Sequence, residues 1–400
     1  MWRTGLGFVL AVSACRAGGT ASSVDAASSA AAPVDASREA ATATSAKDAA
    51  ADAPAGPPTP EEIARGKQLY GRYCNFCHGN EGQGYAADQA PALANDDLLT
   101  IASDDYLINA ITKGRPGTTM SAWSVARGGP LGYDGATAIT SYIRTWQKRP
   151  NEVLAKRGAR DSRDAGDATG EGGAAATGDI TRGGALFAAH CASCHGAKGR
   201  DGKYGALANP ELLAAASDEF LGTTIERGRT GTPMQAFGAK LPKGGVDDIL
   251  ALLRAWQRPP EETNPADLPP KAGALVSIVM NPGGAQPPFE SGAEYIKVEA
   301  VKAQFDRKAT MIIVDARPPA DYARMHVAGA ISIPFYDSEP FAKQLPKDRY
   351  ILTYCGCPHA ESGQLRTALK KLGYPRVAVM DEGLLAWRDR GYPVRGGAKP

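Results

Sequence analysis

Between residues 59 and 150 the apolar positions fall into three patches at helical spacing: one before Cys74, one after Ser103 and one running up to Trp146. Residues 179–260 show the same three patches, before Cys191, after Ser217 and up to Trp256. The pattern predicts two small all-α bodies. Beyond residue 289 the period changes. Met311–Val314, Tyr350–Tyr354 and Val377–Met380 are short continuous apolar runs separated by helical stretches. That is the signature of buried strands in a parallel α/β sheet. Thr59-Pro60-Glu61-Glu62 reads as a helix start, with Thr59 as N-cap, proline at the first helical position and Glu62 completing a capping box.

The segments between these bodies lack periodicity. Residues 16–58 are mostly Ala, Ser, Thr, Asp and Pro, which predicts a flexible tether. Residues 151–178 and 261–288, rich in Gly, Ala and Pro, read as linkers, leaving the α/β body at 289–396. The chain has 400 residues, enough for two or three domains, with 43% hydrophobic and 22% charged positions. A net charge of +2 gives no case for a nucleic-acid partner. Residues 1–15 carry an early positive charge, Arg3, and a short apolar stretch, which predicts a secretory signal. Val12-Ser13-Ala14-Cys15 resembles a bacterial lipobox, which implies lipidation of Cys15 and a location on the periplasmic side of a bacterial membrane; a simple signal with an incidental cysteine is the alternative.

The two helical bodies are an internal repeat. Arg65, Gly66, Tyr70, Cys74, Cys77, His78 and Gly79 correspond to Arg182, Gly183, Phe187, Cys191, Cys194, His195 and Gly196 at an offset of 117. Ser103, Gly114, Arg115 and Met120 correspond to Ser217, Gly228, Arg229 and Met234 at an offset of 114, and Trp146 to Trp256 at 110. About 80 residues make a thin core for independent stability, which points to a bulky group filling each body.

Cys74-Asn75-Phe76-Cys77-His78 and Cys191-Ala192-Ser193-Cys194-His195 are both C-x-x-C-H, the attachment signature of c-type haem. Two cysteines three apart form thioethers to one porphyrin edge, and the adjacent histidine reaches the iron. A thioredoxin-like dithiol would need a βαβ context, and a zinc pair would need further ligands. Met120 and Met234 are the only methionines of the repeats and sit in matching glycine-rich turns, so they are the candidate second axial ligands to iron. Two covalently bound haem c groups are expected. With these residues in place the repeats resemble class I cytochrome c domains. The resemblance implies that a proline carbonyl accepts the proximal histidine's hydrogen bond; Pro91 fits in the first copy, and Gly205 stands at the matching place in the second.

The third body resembles a rhodanese domain. The pieces are Asp315-Ala316-Arg317, His326 to Pro334, Cys355 directly after a strand, and Asp381-Glu382-Gly383-Leu384 with Trp387 and Gly391-Tyr392-Pro393. The resemblance implies a nucleophile at Cys355, in the loop Cys355-Gly356-Cys357-Pro358-His359-Ala360-Glu361-Ser362. Cys357 is a candidate resolving thiol and His359 a candidate base. Glu361 stands near the place where an arginine often closes such loops, which disfavours dianionic thiosulfate. Asp315, Arg317 and His326 read as structural.

The expected fold is multidomain, two all-α cytochrome c domains followed by an α/β rhodanese-like domain. The expected function is an exported, lipid-anchored dihaem electron carrier with sulfur or thiol chemistry at Cys355. Its partners would be a soluble cytochrome or terminal oxidase and small sulfur compounds, with no nucleic acid. Two alternatives stay open: an electron shuttle whose third domain is an inert docking module, and a dihaem peroxidase, against which Met120 and Met234 argue.

Overall fold

The structure is a computed structural model that describes residues 56–84, 90–152, 178–269, 275–290, 292–356 and 359–400. Cys15 and Cys357 lie outside them. The described residues form one compact unit. Among the described residues no helix is long and apolar enough to cross a membrane.

The first repeat contains α1 (Pro60–Tyr73), α2 (Asn75–His78), α3 (Asp96–Ile101), α4 (Asp104–Lys113) and α5 (Tyr133–Arg144). The second contains α6 (Ile180–His190), α7 (Ala192–His195), α8 (Pro210–Ala215), α9 (Asp218–Arg227) and α10 (Gly245–Ala255). Each copy thus adds two short helices to the three expected; they span too few residues to show a period. The Thr59 side chain caps α1 by accepting from Glu62 N–H at 3.2 Å. The reciprocal half of the capping box is missing, because the Glu62 carboxylate accepts from Ser141 instead.

The first and last helices of each copy cross with their backbones in contact. A side chain at Gly66 would run into the Ala138 carbonyl, and one at Gly183 into the Asp248 carbonyl. Only glycine permits that approach. Trp146 packs edge-on against Tyr70 (5.2 Å between centroids), and Trp256 against Phe187 (4.9 Å). Arg144 ties Asp104 to the carbonyls of Leu99 and Ala102, and Arg254 ties Asp218 to those of Leu213 and Ala216.

The two copies face each other through equivalent surfaces. Asn95 donates to the Thr230 carbonyl at 2.8 Å, and its counterpart Asn209 donates to the Pro116 carbonyl at 2.9 Å. Tyr106 lies against its own counterpart, Phe220, at 4.5 Å. Arg115 sits over Tyr106 and Arg229 over Phe220. The match breaks at one place. Thr230 N–H donates to Asp97, but the corresponding Pro116 has no N–H to offer Glu211. Both Glu211 carboxylate oxygens are buried without a hydrogen bond, and Arg127 approaches to 3.8 Å.

The α/β body has β1 (Tyr295–Ile296), α11 (Val298–Asp306), β2 (Ile312–Asp315), α12 (Pro319–Arg324), β3 (His326–Val327), β4 (Ile331–Ser332), α13 (Glu339–Ala342), β5 (Ile351–Tyr354), α14 (Ala360–Lys371), β6 (Val377–Met380), α15 (Gly383–Asp389) and β7 (Val394–Arg395). The main sheet is parallel, in the order β1-β6-β5-β2-β4. Every residue of β2, β5 and β6 is buried, as the continuous apolar runs require. The later part of the expected 261–288 linker is packed. Met280 pairs with Met311, and Leu275, Ile278 and Val279 pack against the core beside the sheet. This short apolar run is masked in the sequence by its Pro and Gly neighbours.

Candidate functional site

In the first repeat, α1 ends at Cys74 and the single turn of α2 carries Cys77 and His78. His78 is buried, and its Nδ1 faces the Pro91 carbonyl at 3.0 Å. A ring nitrogen facing a carbonyl must donate, so Nε2 keeps its lone pair for a metal. Burial lowers the His78 pKa and the Pro91 bond raises it; burial prevails, which keeps the ring neutral. Burial also pushes the Cys74 thiol up to about 12 and, with Cys194 beside it, the Cys191 thiol up to about 11. In the second repeat His195 Nδ1 faces two carbonyls, Tyr204 at 2.9 Å and Gly205 at 3.2 Å.

A cavity of about 1740 Å³ is lined by Cys74, Cys77, His78 and Met120 and by Cys191, Cys194, His195 and Met234. A site for one small molecule encloses roughly 300–1,000 Å³, so the space suits two large groups. The Met120 turn is closed by Arg115 N–H donating to the Met120 carbonyl (2.8 Å), and the Met234 turn by Arg229 N–H donating to the Met234 carbonyl (2.8 Å). Cysteine pairs, histidines and methionines lining one cavity are a donor set that would suit covalently bound haem c, the cysteines for thioethers and the His and Met for iron.

In the α/β body Cys355 follows β5 and is fully buried. Its carbonyl accepts from Leu384 N–H at 2.8 Å, and its Sγ lies 3.3 Å from Ser362 Oγ. Thr353 holds the start of α14 by donating to the Ser362 carbonyl at 3.0 Å. Glu361 is buried beside it. Burial, then the charge of Cys355, raises the Glu361 carboxyl well above its ordinary range. His359 is half-exposed and bonds Asp381 Oδ1 through Nε2 at 2.8 Å, under Tyr295. Asp315 and Arg317 form a buried two-pronged pair (2.9 and 2.6 Å), and His326 stacks on Tyr322 in the core.

Comparison with known proteins agrees with this division. A family model described as "Cytochrome C oxidase, cbb3-type, subunit III" matches residues 61–143 and 178–253, and one described as "Rhodanese-like domain" matches 297–390. The chain carries two cytochrome c domains and a rhodanese-like domain. It is 29% identical over 99 residues to a sulfurtransferase of Allochromatium vinosum, covering 25% of this chain and 92% of that protein. It is 27% identical over 210 residues to the cbb3-type cytochrome c oxidase subunit CcoP of an Azospirillum species, covering 48% of this chain and 61% of that one. The chain thus spans less than two thirds of the length of this cytochrome relative. Among solved structures, the BH2092 protein of Bacillus halodurans is 28% identical, covering 27% of this chain and 81% of that chain with a TM-score of 0.25.

Cytochrome c domains imply covalently bound haem c. The structure brings Cys74, Cys77, His78 and Met120 to the cavity in one domain, and Cys191, Cys194, His195 and Met234 in the other. Three participants carry no sequence signal for their role. The Tyr204 carbonyl takes the nearer bond from His195 where Gly205 was expected, and backbone acceptors have no residue signature. Ser362 meets Cys355 by the curl of the loop. Ser121, next to Met120, donates to Glu361 Oε1 at 2.9 Å across 240 residues of chain.

Proposed function

We propose that the protein is an exported, lipid-anchored dihaem electron carrier whose rhodanese-like domain performs sulfur or thiol chemistry at Cys355. Each haem would be held by one C-x-x-C-H pair, with His78 and Met120, or His195 and Met234, on its iron. Closed His/Met ligation supplies one-electron chemistry and leaves no open coordination position. The redox partner is then a soluble cytochrome or a terminal oxidase. Anchoring rests on the Val12-Ser13-Ala14-Cys15 pattern, and it puts the domains on the periplasmic side of the membrane.

One observation carries the link between electron transfer and sulfur chemistry. The residue after Met120 is hydrogen-bonded to Glu361 of the Cys355 loop, and Ala122 N–H donates to Asp321 of the same domain at 3.2 Å. The test is anaerobic visible spectroscopy of the oxidised holoprotein mixed with sulfide or polysulfide, wild type beside Cys355→Ser. Fast haem reduction in the wild type, lost in the variant, is the expected result. Equal reduction in both, or none where a small reductant works, overturns the link.

The complete burial of Cys355 favours a second reading, in which the rhodanese-like domain only positions the first cytochrome domain. Unchanged electron transfer in Cys355→Ser would select it.

A further inference from the structure

Glu361 is a buried carboxyl of one domain that borders the cavity of another. It lies in the first turn of α14, is 5% exposed, and lines the same cavity as His78 and Met120. Its Oε1 accepts from Ser121, the residue after Met120, at 2.9 Å. α14 also packs against α2, the turn that carries Cys77 and His78. The titratable groups around Glu361 are Cys355 after β5, Asp321 on α12 and Tyr336 after β4, whose phenol donates to the Gly128 carbonyl. On α2, His78 is held by the Pro91 carbonyl. The nearby cations are engaged. Arg317 is held by both Asp315 oxygens and by the Met325 carbonyl, and Arg324 by Asp321 and Glu261. An ionised Glu361 therefore meets no uncommitted positive charge among these residues, and a buried charge without a partner is costly. The variable charge of the neighbouring iron site is what can offset it. The second domain differs here. Gln235 stands at the position of Ser121, is exposed, and accepts from Lys240 at 2.6 Å.

We propose that Glu361 of the rhodanese-like domain couples electron transfer in the first cytochrome domain to the uptake and release of one proton. The proposal rests on the electron-carrier reading above. The electron comes from the one-electron redox partner and the proton from solvent. As the first domain gains an electron, the Glu361 carboxylate takes up a proton and becomes a neutral carboxylic acid. As the electron leaves to the partner, the O–H bond breaks and the proton returns to solvent. One charge of each sign moves in each direction, so the net charge of the pair is unchanged. The sign follows from Coulomb attraction. Ionised Glu361 favours the oxidised, more positive site. The potential of the first domain therefore falls as pH rises through the Glu361 pKa, and is flat well below and well above it. The second domain has no such carboxyl at the matching position, so its potential should not follow.

The test is an optical redox titration of the full-length holoprotein at a series of pH values from mildly acidic to alkaline. The first-domain wave is the one displaced by Met120→His. In the wild type that wave should fall with rising pH while the other stays level. The expected fall is about tenfold in the reduced-to-oxidised ratio at fixed potential, the counterpart of a one-unit difference in the Glu361 pKa between the two redox states. Glu361→Gln, which keeps an acceptor for Ser121, should make the first wave level. Two waves that are both level, or that fall alike in wild type and Glu361→Gln, overturn the proposal and leave the electron carrier standing; the second pattern assigns the proton to the haem propionates, which both domains share. If Met120→His displaces no wave, the electron-carrier reading itself fails. Ser121→Ala gives a second check should Glu361→Gln not fold. Ser121 donates to the charged carboxylate and favours it, so its loss should move the pH-dependent stretch to higher pH. An unmoved stretch in that variant overturns the assignment to Glu361.

Discussion

The two cytochrome domains share a frame but not a setting. In both, a glycine lets the terminal helices touch, a tryptophan packs on the first helix, and an arginine ties the last helix to two carbonyls. Around the proximal histidine they diverge. His78 is 6% exposed and bonds one carbonyl, whereas His195 is only partly buried and faces two. The first domain is also covered by the rhodanese-like domain. Phe335 packs on Phe76, between the two attachment cysteines, and Tyr336 packs on Tyr73 and donates to the Gly128 carbonyl at 2.7 Å. The internal frame is common to both copies, while the rhodanese-like domain walls the first at Tyr73 and Phe76.

The largest expected effect comes from the histidines. His78→Ala and His195→Ala should each remove one haem from a pyridine haemochrome count. His78→Ala should also lower the unfolding temperature more, because α2 lies under the docked domain. Equal losses of stability would erase the contrast between the two settings.

A redox titration sharpens it further. Two waves are expected, the higher belonging to the drier first domain. Met120→His should lower the upper wave and Met234→His the lower one, read by optical titration; the reverse assignment breaks the comparison.

Next comes the interdomain bond. Ser121→Ala leaves a buried Glu361 oxygen without its partner and should cost about 1–3 kcal/mol in denaturant unfolding. The same pair gives a pH dependence. Glu361 and Asp321 both have folded-state pKa values raised, chiefly by burial. Their contribution is fully present below the unfolded carboxyl pKa and is lost as pH rises through the folded one. The unfolding free energy should therefore fall on going from mildly acidic to alkaline pH, and Glu361→Gln should flatten that slope. The smallest effect is expected at Arg227, whose exposed pairing with Glu152 joins the second domain to the end of the first. Arg227→Ala should cost about 0–1 kcal/mol and disappear at high salt.

Much of this was legible in the sequence. The offsets of 117, 114 and 110 carried the repeat, and the spacing of Cys74, Cys77 and His78 pointed to the cytochrome c fold, because both are local patterns. The four rhodanese-like pieces gave the third domain and the strand before Cys355. What escaped was long-range. Glu361 was read as a loop carboxylate, but its partner Ser121 lies in another domain, and no periodicity encodes docking. The bond from His359, a candidate base, to Asp381 after β6 was likewise not encoded in any local pattern.

The matched contacts between the cytochrome domains also have a symmetry. Asn95 with Thr230 and Asn209 with Pro116 pair like surfaces, as in a twofold dimer whose halves happen to be covalently joined. Such an interface is self-complementary and consumes the patch that makes it. A head-to-tail contact would leave one copy of that patch free at each end and invite extension into a chain of carriers. Here each copy's patch is covered by the other's, apart from the mismatch at Pro116 and Glu211.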